Sequence, residues 1–144
     1  AGAPAWNVKS VVVDGRDATD LLIDIAPGAA PTIVATLWDQ VSELSGTLLS
    51  ASGQPATDYF VVALPADRQY WTTLSRRIAS ARPDATGRYI FRTLPPGDYR
   101  IAVTTDLVQR DLQDTSALER LLEASAPVTI GAGEKKVFDL KAGG

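Results

Sequence analysis

The sequence predicts an all-β sandwich, and the observations that predict it are side-chain alternation and closely spaced turns. Aromatic and aliphatic side chains recur at every second position in two short runs, Tyr89 with Phe91 and Tyr99 with Ile101. Such alternation is typical of strands that bury one face. Turn signals rich in glycine, proline and aspartate separate this stretch and most of the other apolar runs of the chain.

The turns around these two runs favour a hairpin. Residues 84–87 begin with an aspartate acceptor and end with glycine, the order of a tight turn. Pro96 fixes φ at about −65° and Gly97 accepts a positive φ, so this pair suits the two central positions of a type II turn. We therefore expect residues 82–105 to form a hairpin, with Tyr89, Phe91, Tyr99, Ile101 and Phe138 in the core.

The first forty residues contain strand-like runs at 6–13, 21–25 and 32–38, with turn dipeptides at Asp14-Gly15 and Pro27-Gly28. Three strands cannot close a sandwich by themselves. A weak internal repeat aligns residues 6–37 with residues 99–140. The sequence therefore predicts two parts. Residues 1–40 are the tail of a preceding similar module or added edge strands, and residues 41–144 form the sandwich.

The middle of the chain adds two strands and a long connection. A strand is predicted at 43–48, and the continuous apolar run at 59–64 indicates a central strand covered on both faces. Residues 65–81 mix a polar loop with a further predicted strand at 74–78.

One short helix interrupts the strands within residues 106–126. Ser116 and Glu119 fit a capping box, and Pro127 is expected to stop the helix. A helix this short is marginal in isolation, so its leucines should dock on the sandwich. These leucines fall on one helical face: Leu118, Leu121 and Leu122. Two further strands, at 128–130 and 135–140, complete the chain.

The composition narrows the function classes. The net charge of −3 argues against a nucleic-acid partner, which would need a basic face. No apolar run approaches the roughly 20 residues that span a bilayer, so we expect no membrane insertion. The chain has no Cys and no His, which leaves little for zinc binding or imidazole catalysis, and we expect no cofactor. It begins at Ala1, which indicates a piece of a longer polypeptide.

Several motifs between Glu43 and Leu140 resemble those of one known family. They are Ser45-Gly46-Thr47 with Gly53-Gln54-Pro55, Asp84 with Gly87-Arg88-Tyr89, the segment Leu94-Pro95-Pro96-Gly97-Asp98-Tyr99, and the closing residues 128–140. This pattern resembles the carboxypeptidase regulatory-like domain family, which has a transthyretin-like (prealbumin-like) fold. The resemblance covers about two-thirds of the chain. It implies a seven-stranded Ig-like or prealbumin-like β-sandwich, here with extra N-terminal strands and one short inserted helix. Tyr99 also looks like the tyrosine corner of sandwich domains.

Domains of this family resemble non-catalytic accessories of bacterial peptidases, surface proteins and outer-membrane transporters. The chain carries no peptidase metal motif, so the resemblance implies no enzymatic activity. It implies a spacer or protein-interaction module of an exported bacterial protein, in the periplasm, at the cell surface or outside the cell. The partners would be neighbouring domains of the parent protein. A homodimer through the N-terminal strands is a further expectation, because exposed strand edges invite pairing.

A second function class depends on the connection at 65–81. Tyr70 and Trp71, with Arg68, Arg76 and Arg77 nearby, suit a carbohydrate- or peptide-binding patch, because aromatic side chains in wet loops supply flat contact area. In the structural alternative, Trp71 folds over the edge of the sandwich. Trp6 and Trp38 lie in strand patterns and are expected in the core or at a domain junction.

Two further candidates are weighed against simpler interpretations. Asp14, Asp17, Asp20 and Asp24 suggest calcium, but their spacing does not match the helix-loop-helix calcium loop, and a solvated hairpin turn explains them. A Lys-to-Asp or Lys-to-Asn amide crosslink would need a buried lysine such as Lys9 or Lys136, with Asn7 as the sole Asn.

Overall fold

The computed structural model describes residues 6–23, 25–72, 75–105 and 109–142. The chain divides into two compact units, Ala1–Gln40 and Val41–Gly144, which we call the smaller and the larger unit. No helix in the described part of the chain is long and apolar enough to cross a membrane.

The smaller unit is a three-stranded antiparallel sheet. Its strands are β1 (Asn7–Val13), β2 (Arg16–Asp17) and β3 (Ile33–Trp38), in the order β2-β1-β3. Asp14 and Gly15 join β1 to β2 with φ angles of 48° and 81°. A two-residue hairpin of this type needs positive φ at both central positions, which explains the aspartate-glycine pair.

The strand predicted at 21–25 is wrong, because the described residues of that segment lie outside any strand. Hydrogen bonds among residues 11–19 turn the chain away from the sheet before it reaches Leu21. Asp17 Oδ1 accepts from both the backbone N–H and the hydroxyl of Thr19, and Val11 N–H donates to the same Thr19 hydroxyl. Asp20 then adopts a φ of 60°, which an extended strand does not allow.

The larger unit consists of two packed sheets and one helix. Its strands are β4 (Glu43–Leu49), β5 (Phe60–Pro65), β6 (Ala79–Ala81), β7 (Arg88–Phe91), β8 (Gly97–Thr104), β9 (Ala126–Ile130), β10 (Lys135–Val137) and β11 (Leu140–Lys141), and its helix is α1 (Thr115–Glu123). One sheet has the order β6-β5-β8-β9, and in the other β4 pairs with β7, β10 and β11. With β10 and β11 counted as one interrupted strand, the described residues form the predicted seven-stranded β-sandwich, so the fold class is confirmed.

The hairpin expected at 82–105 is wrong, because β7 pairs with β4 and β8 pairs with β5 and β9. The connection from Arg92 to Pro96 therefore carries the chain from one sheet to the other. Gly97 has a φ of 152° and already pairs with Ile130 as the first residue of β8, so the predicted type II turn is also wrong. The turn at 84–87 does form, since Gly87 N–H donates to the Asp84 carbonyl over 2.9 Å.

The main core lies between the two sheets and contains the predicted residues. Tyr89, Phe91, Tyr99 and Ile101 are buried there, and Phe138 packs against them at the edge. The central strand prediction for β5 is confirmed. Its Val61 and Ala63 enter this core, whereas Val62 and Leu64 enter a second cluster on the other face of the same sheet.

Helix α1 covers that other face, as the spacing of its leucines predicted. Leu118 is buried in the second cluster, and Leu121 and Leu122 pack at its margin. The N-cap is Asp114 rather than Ser116, because the Asp114 carboxylate accepts from Ser116 N–H over 3.0 Å. The helix ends at Glu123, so it stops before Pro127.

The two edge strands of this sheet, β6 and β9, differ from the prediction. Pro127 lies in β9, an edge strand, where the missing N–H costs no ladder bond. The strand predicted at 74–78 is wrong in position, because β6 comprises Ala79–Ala81 and residues 76–77 form a turn. Leu74 lies outside the described residues.

The strands that the proposed internal repeat aligns do not pair in the same way in its two copies. It aligns β1 with β8 and β3 with the last strands of the chain. However, β1 pairs directly with β3, whereas β8 and β10 belong to different sheets. The strands of the smaller unit expose large apolar side chains, with Ile33, Val34 and Leu37 each about half exposed. Pairing through these strands stays a prediction.

Candidate functional site

The Tyr70-Trp71 connection is the first candidate, and a short 3₁₀ turn at Arg68–Tyr70 shapes it. Asp67 caps this turn, since its carboxylate accepts from Gln69 N–H over 3.0 Å. Trp71 follows directly as the C-cap residue of this turn. The turn therefore fixes the direction in which both aromatic side chains leave the backbone.

Trp71 packs onto the sandwich. Its half-buried ring lies against the second cluster, which includes Val62, Leu64 and Leu118. Its indole N–H donates to the carbonyl of Pro65, the last residue of β5, over 2.9 Å. The polar edge of the ring therefore has a fixed partner, and the ring bridges the outer face of the sheet and α1.

Arg68 ties the same turn to the helix. Its guanidinium makes two bonds to the Glu119 carboxylate, of 2.6 and 2.8 Å, and lies 5.4 Å from the centre of the Trp71 ring. The hydrogen bonds to Arg68 lower the pKa of Glu119, and those to Glu119 raise the pKa of Arg68. Both groups are largely exposed, so solvent screens the pair.

Tyr70, the second aromatic residue of this connection, pairs with a different arginine. The Arg77 guanidinium lies 4.4 Å from the centre of the Tyr70 ring, and its Nη1 donates to the Pro96 carbonyl over 3.4 Å. Arg76 is half-buried and also has an interaction partner. The structure therefore makes two separate arginine–aromatic pairs, Arg68 with Trp71 and Arg77 with Tyr70. Ligand or partner contact through these residues stays a prediction.

The other tryptophans lie in the smaller unit. Trp6 is 63% exposed, which excludes a core position. Trp38 is half-buried at the end of β3, where its indole N–H donates to Asn7 and the Lys9 ammonium lies 5.1 Å from its ring. Lys9 is exposed and Lys136 is half-buried, so neither is the buried lysine that an amide crosslink would need.

The aspartates of the smaller unit are used within its loops. The Asp14 carboxylate accepts from Thr32 N–H, and the Asp17 carboxylate accepts from Thr19. Asp20 has a partner of its own, and Asp24 lies outside the described residues. Within the described ranges, no group of three or more His, Cys, Asp or Glu side chains could hold a metal ion.

The residues that carry the family resemblance make contacts that stabilise the fold. The Tyr99 hydroxyl donates to the buried Pro95 carbonyl over 2.7 Å, as in a tyrosine corner. The Tyr89 hydroxyl donates to the Phe138 carbonyl, which joins β7 to the segment between β10 and β11. Gly87 has a φ of 86°, and a Cβ there would lie 2.7 Å from the Leu48 carbonyl oxygen. Leu94 and Pro95 are buried beside Tyr99, and Pro96 accepts the bond from Arg77.

Burial of Tyr89 predicts an alkaline limit to stability. Desolvation, together with the charge of Asp139, raises the pKa of the Tyr89 phenol well above its ordinary value of about 10. The unfolded chain then releases this proton near pH 10 while the folded chain keeps it. The free energy of unfolding should therefore fall above pH 10, by up to about 1.4 kcal/mol per pH unit from this group.

Urea unfolding of the wild type and of Tyr89→Phe between pH 8 and 11 measures this slope. The variant should be less stable at pH 8, because it lacks the bond to Phe138, and its stability should fall less steeply above pH 10. Equal slopes in the two proteins would contradict the assignment to Tyr89.

The sequence did not predict one surface groove of the larger unit. An open groove of about 720 Å³ lies beside β6 and β7, and its basic side chains are Arg82, Arg88, Arg92 and Lys135. We call it the basic groove. Arg88 is the first residue of β7 and Arg92 follows its last residue, and both are exposed while Tyr89 and Phe91 are buried. Arg82 lies six residues before Arg88 in the chain, whereas Lys135 comes from a distant part of the chain, and no sequence pattern joins it to the three arginines.

Comparisons with known proteins find similar folds only. No family model matches the chain, and no curated protein matches it. The major pilin subunit BcpA of Bacillus cereus is 11% identical with a TM-score of 0.48, over 95% of this chain and 55% of that chain. The TIE protein of Bacillus anthracis is 12% identical with a TM-score of 0.47, over 78% of this chain and 19% of that chain.

A third similar structure is a Pseudomonas aeruginosa protein described as a candidate carbohydrate-binding protein. It is 17% identical with a TM-score of 0.45, over 72% of this chain and 89% of that chain. None of these three TM-scores reaches 0.5, so none of the likenesses carries an argument about function. This chain matches about half of the length of BcpA and about a fifth of the length of the TIE protein.

Proposed function

We propose that this chain is a non-catalytic spacer module of an exported bacterial multidomain protein, and that its larger unit is a carboxypeptidase regulatory-like domain. Its partners would be the neighbouring domains of the parent protein. One observation carries the proposal: the first and last strands of the larger unit pair in parallel.

The parallel pairing sets where the chain enters and leaves the unit. Glu43 lies beside Lys135 at one end of β4, and Leu49 lies beside Lys141 at the other end. The chain therefore enters at one end of β4 and leaves about 20 Å away at the other, given a rise of about 3.3 Å per residue. A module whose termini lie at opposite ends suits a linear array of domains.

The same pairing opposes force applied through the ends. A pull on both termini slides β4 against β10 and β11, so the bonds between them share the force instead of opening one at a time. Backbone bonds run from Glu43 to Glu134, from Phe138 to Ser45 and from Ala142 to Leu49. Thr47 N–H adds a bond to the Asp139 carboxylate over 2.9 Å. Such an arrangement supports a mechanical role.

Force spectroscopy on single molecules of the chain, held by its two ends, tests the proposal. Asp139→Ala should lower the unfolding force of the larger unit, because it removes the Thr47 bond from the sheared pair. Asp98→Ala is the matched control, since the exposed Asp98 carboxylate bonds Thr129 between β8 and β9, away from the line of force. The larger unit is identified by its extension of about 350 Å, roughly 100 residues at 3.3–3.6 Å each. Equal forces in both variants, or unfolding at negligible force, would contradict the proposal.

A further inference from the structure

We propose that two copies of this chain pair edge to edge through β3, antiparallel, with Ala35 of each copy at the two-fold axis. The inference does not depend on the spacer function. It gives the homodimer that the sequence predicted a strand, a register and a symmetry. It rests on the free backbone groups of β3, on the order of its side chains, and on the lack of charge along the strand.

The outer edge of β3 has unused backbone groups along its length. In an antiparallel pair, residues that bond the neighbouring strand alternate with residues whose N–H and C=O point the other way. Asp14 N–H donates to the Thr32 carbonyl, so Thr32 and every second residue after it bond towards β1. The backbone groups of Ile33, Ala35 and Leu37 therefore point away from β1. Within the described part of the chain, β3 pairs with β1 alone and no other segment bonds these groups, so the edge can accept a whole strand.

Nothing in the sequence of β3 blocks such pairing. Natural edge strands usually carry a charge, a proline or a bulge that keeps another chain away. β3 contains no charged residue and no proline, and the register shift of this sheet lies on β1. Its large side chains Ile33, Val34 and Leu37 are each about half exposed. These features are expected of an edge that another strand covers.

The order of side chains in β3 fits a second copy of the same strand. The two-fold axis places the two Ala35 residues opposite each other. Ile33 of each copy then lies opposite Leu37 of the other copy. On the other face of the sheet, Val34 lies opposite Thr36. Apolar and β-branched side chains are favourable opposite each other in a sheet, and the pairs at 33, 35 and 37 also exchange backbone bonds.

Charge permits this approach although each copy has a net charge of −3. Residues 31–38 contain no Asp, Glu, Lys or Arg, so the pairing brings no like charges together. The edge specifies an uncharged partner strand with apolar ends and a small central side chain, and β3 itself meets this specification. A pair of six-residue strands buries less than the roughly 1,200–2,000 Å² of a standard interface. We therefore expect a reversible dimer with a dissociation constant on the order of 100 μM.

Sedimentation velocity of the full chain between about 10 μM and about 1 mM tests the proposal. The wild type should pass from monomer to dimer across this range. Ala35→Glu and Ala35→Lys should each weaken the dimer by at least about tenfold, because two like charges then face each other at the axis. An equal mixture of the two variants should dimerise again, because a carboxylate then faces an ammonium. Ala29→Glu and Ala29→Lys are matched controls at an exposed position outside β3, and they should dimerise like the wild type.

Cysteine crosslinking tests the register independently, since the chain has no Cys. Ala35→Cys should form a disulfide-linked dimer under mild oxidation, because Cα atoms about 5.5 Å apart suit a disulfide. Leu37→Cys is the control, since its two copies lie about 13 Å apart along the strands. The proposal is overturned if the wild type stays monomeric at about 1 mM, if Ala35→Glu dimerises like the wild type, if the mixed variants dimerise no better than either alone, or if Leu37→Cys crosslinks as readily as Ala35→Cys.

Discussion

Replacing Gly46 with alanine should lower the free energy of unfolding of the larger unit by more than about 3 kcal/mol. Gly46 lies in β4 at the point where three segments meet. A Cβ at this position would overlap the Phe138 carbonyl oxygen and would lie 2.9 Å from the Tyr89 hydroxyl. The carbonyl belongs to backbone that is paired with β4 on both sides of Phe138, so it cannot move away without loss of those bonds.

Urea unfolding followed by circular dichroism measures this effect, with Gly131→Ala as the control. Gly131 has no φ in the left-handed region, and a Cβ there meets only the flexible Glu134 side chain at 3.4 Å. Gly131→Ala should therefore change the stability by less than about 1 kcal/mol. If Gly46→Ala were as mild as Gly131→Ala, the close approach of β4 to Phe138 would be wrong.

Replacing Trp71 with alanine should cost about 3 kcal/mol of stability in the larger unit. The change removes a half-buried ring from the second cluster and leaves the buried Pro65 carbonyl without its indole donor. Trp71→Phe keeps most of the ring contact and loses the N–H, so it should cost about 1 kcal/mol. Thermal unfolding monitored by circular dichroism compares the two variants.

Trp6→Ala is the matched control for Trp71→Ala. Trp6 is 63% exposed in the smaller unit, so its loss should leave the unfolding of the larger unit unchanged. The same proteins test the binding alternative through a titration of tryptophan fluorescence with polysaccharides and peptides. If the wild type shows a saturable change, and calorimetry shows that Trp71→Phe no longer binds that ligand although it stays folded, Trp71 is a ligand contact. An unchanged melting temperature in Trp71→Ala would show that its packing does not stabilise the fold.

The sequence by itself determined most strands of the larger unit and the faces that they bury. The period-2 alternation in β7 and β8 located Tyr89 and Tyr99 in the core, and the apolar run in β5 indicated a strand covered on both faces. Glycine identified the turn at 84–87, because few other residues adopt the φ that Gly87 needs. Leucine spacing indicated that α1 docks on the sandwich. These features are local, so residues a few positions apart encode them.

Only the tertiary structure decided which strands pair. Residues 82–105 read as a hairpin, yet β7 and β8 joined different sheets, because alternation specifies the buried face of a strand and not its partner. The N-cap was misassigned because Asp114 and Ser116 are both good caps and the sequence does not rank them. The basic groove and the parallel terminal strands each join residues far apart in the chain. Their chemistry arises from packing between distant segments, which no local pattern records.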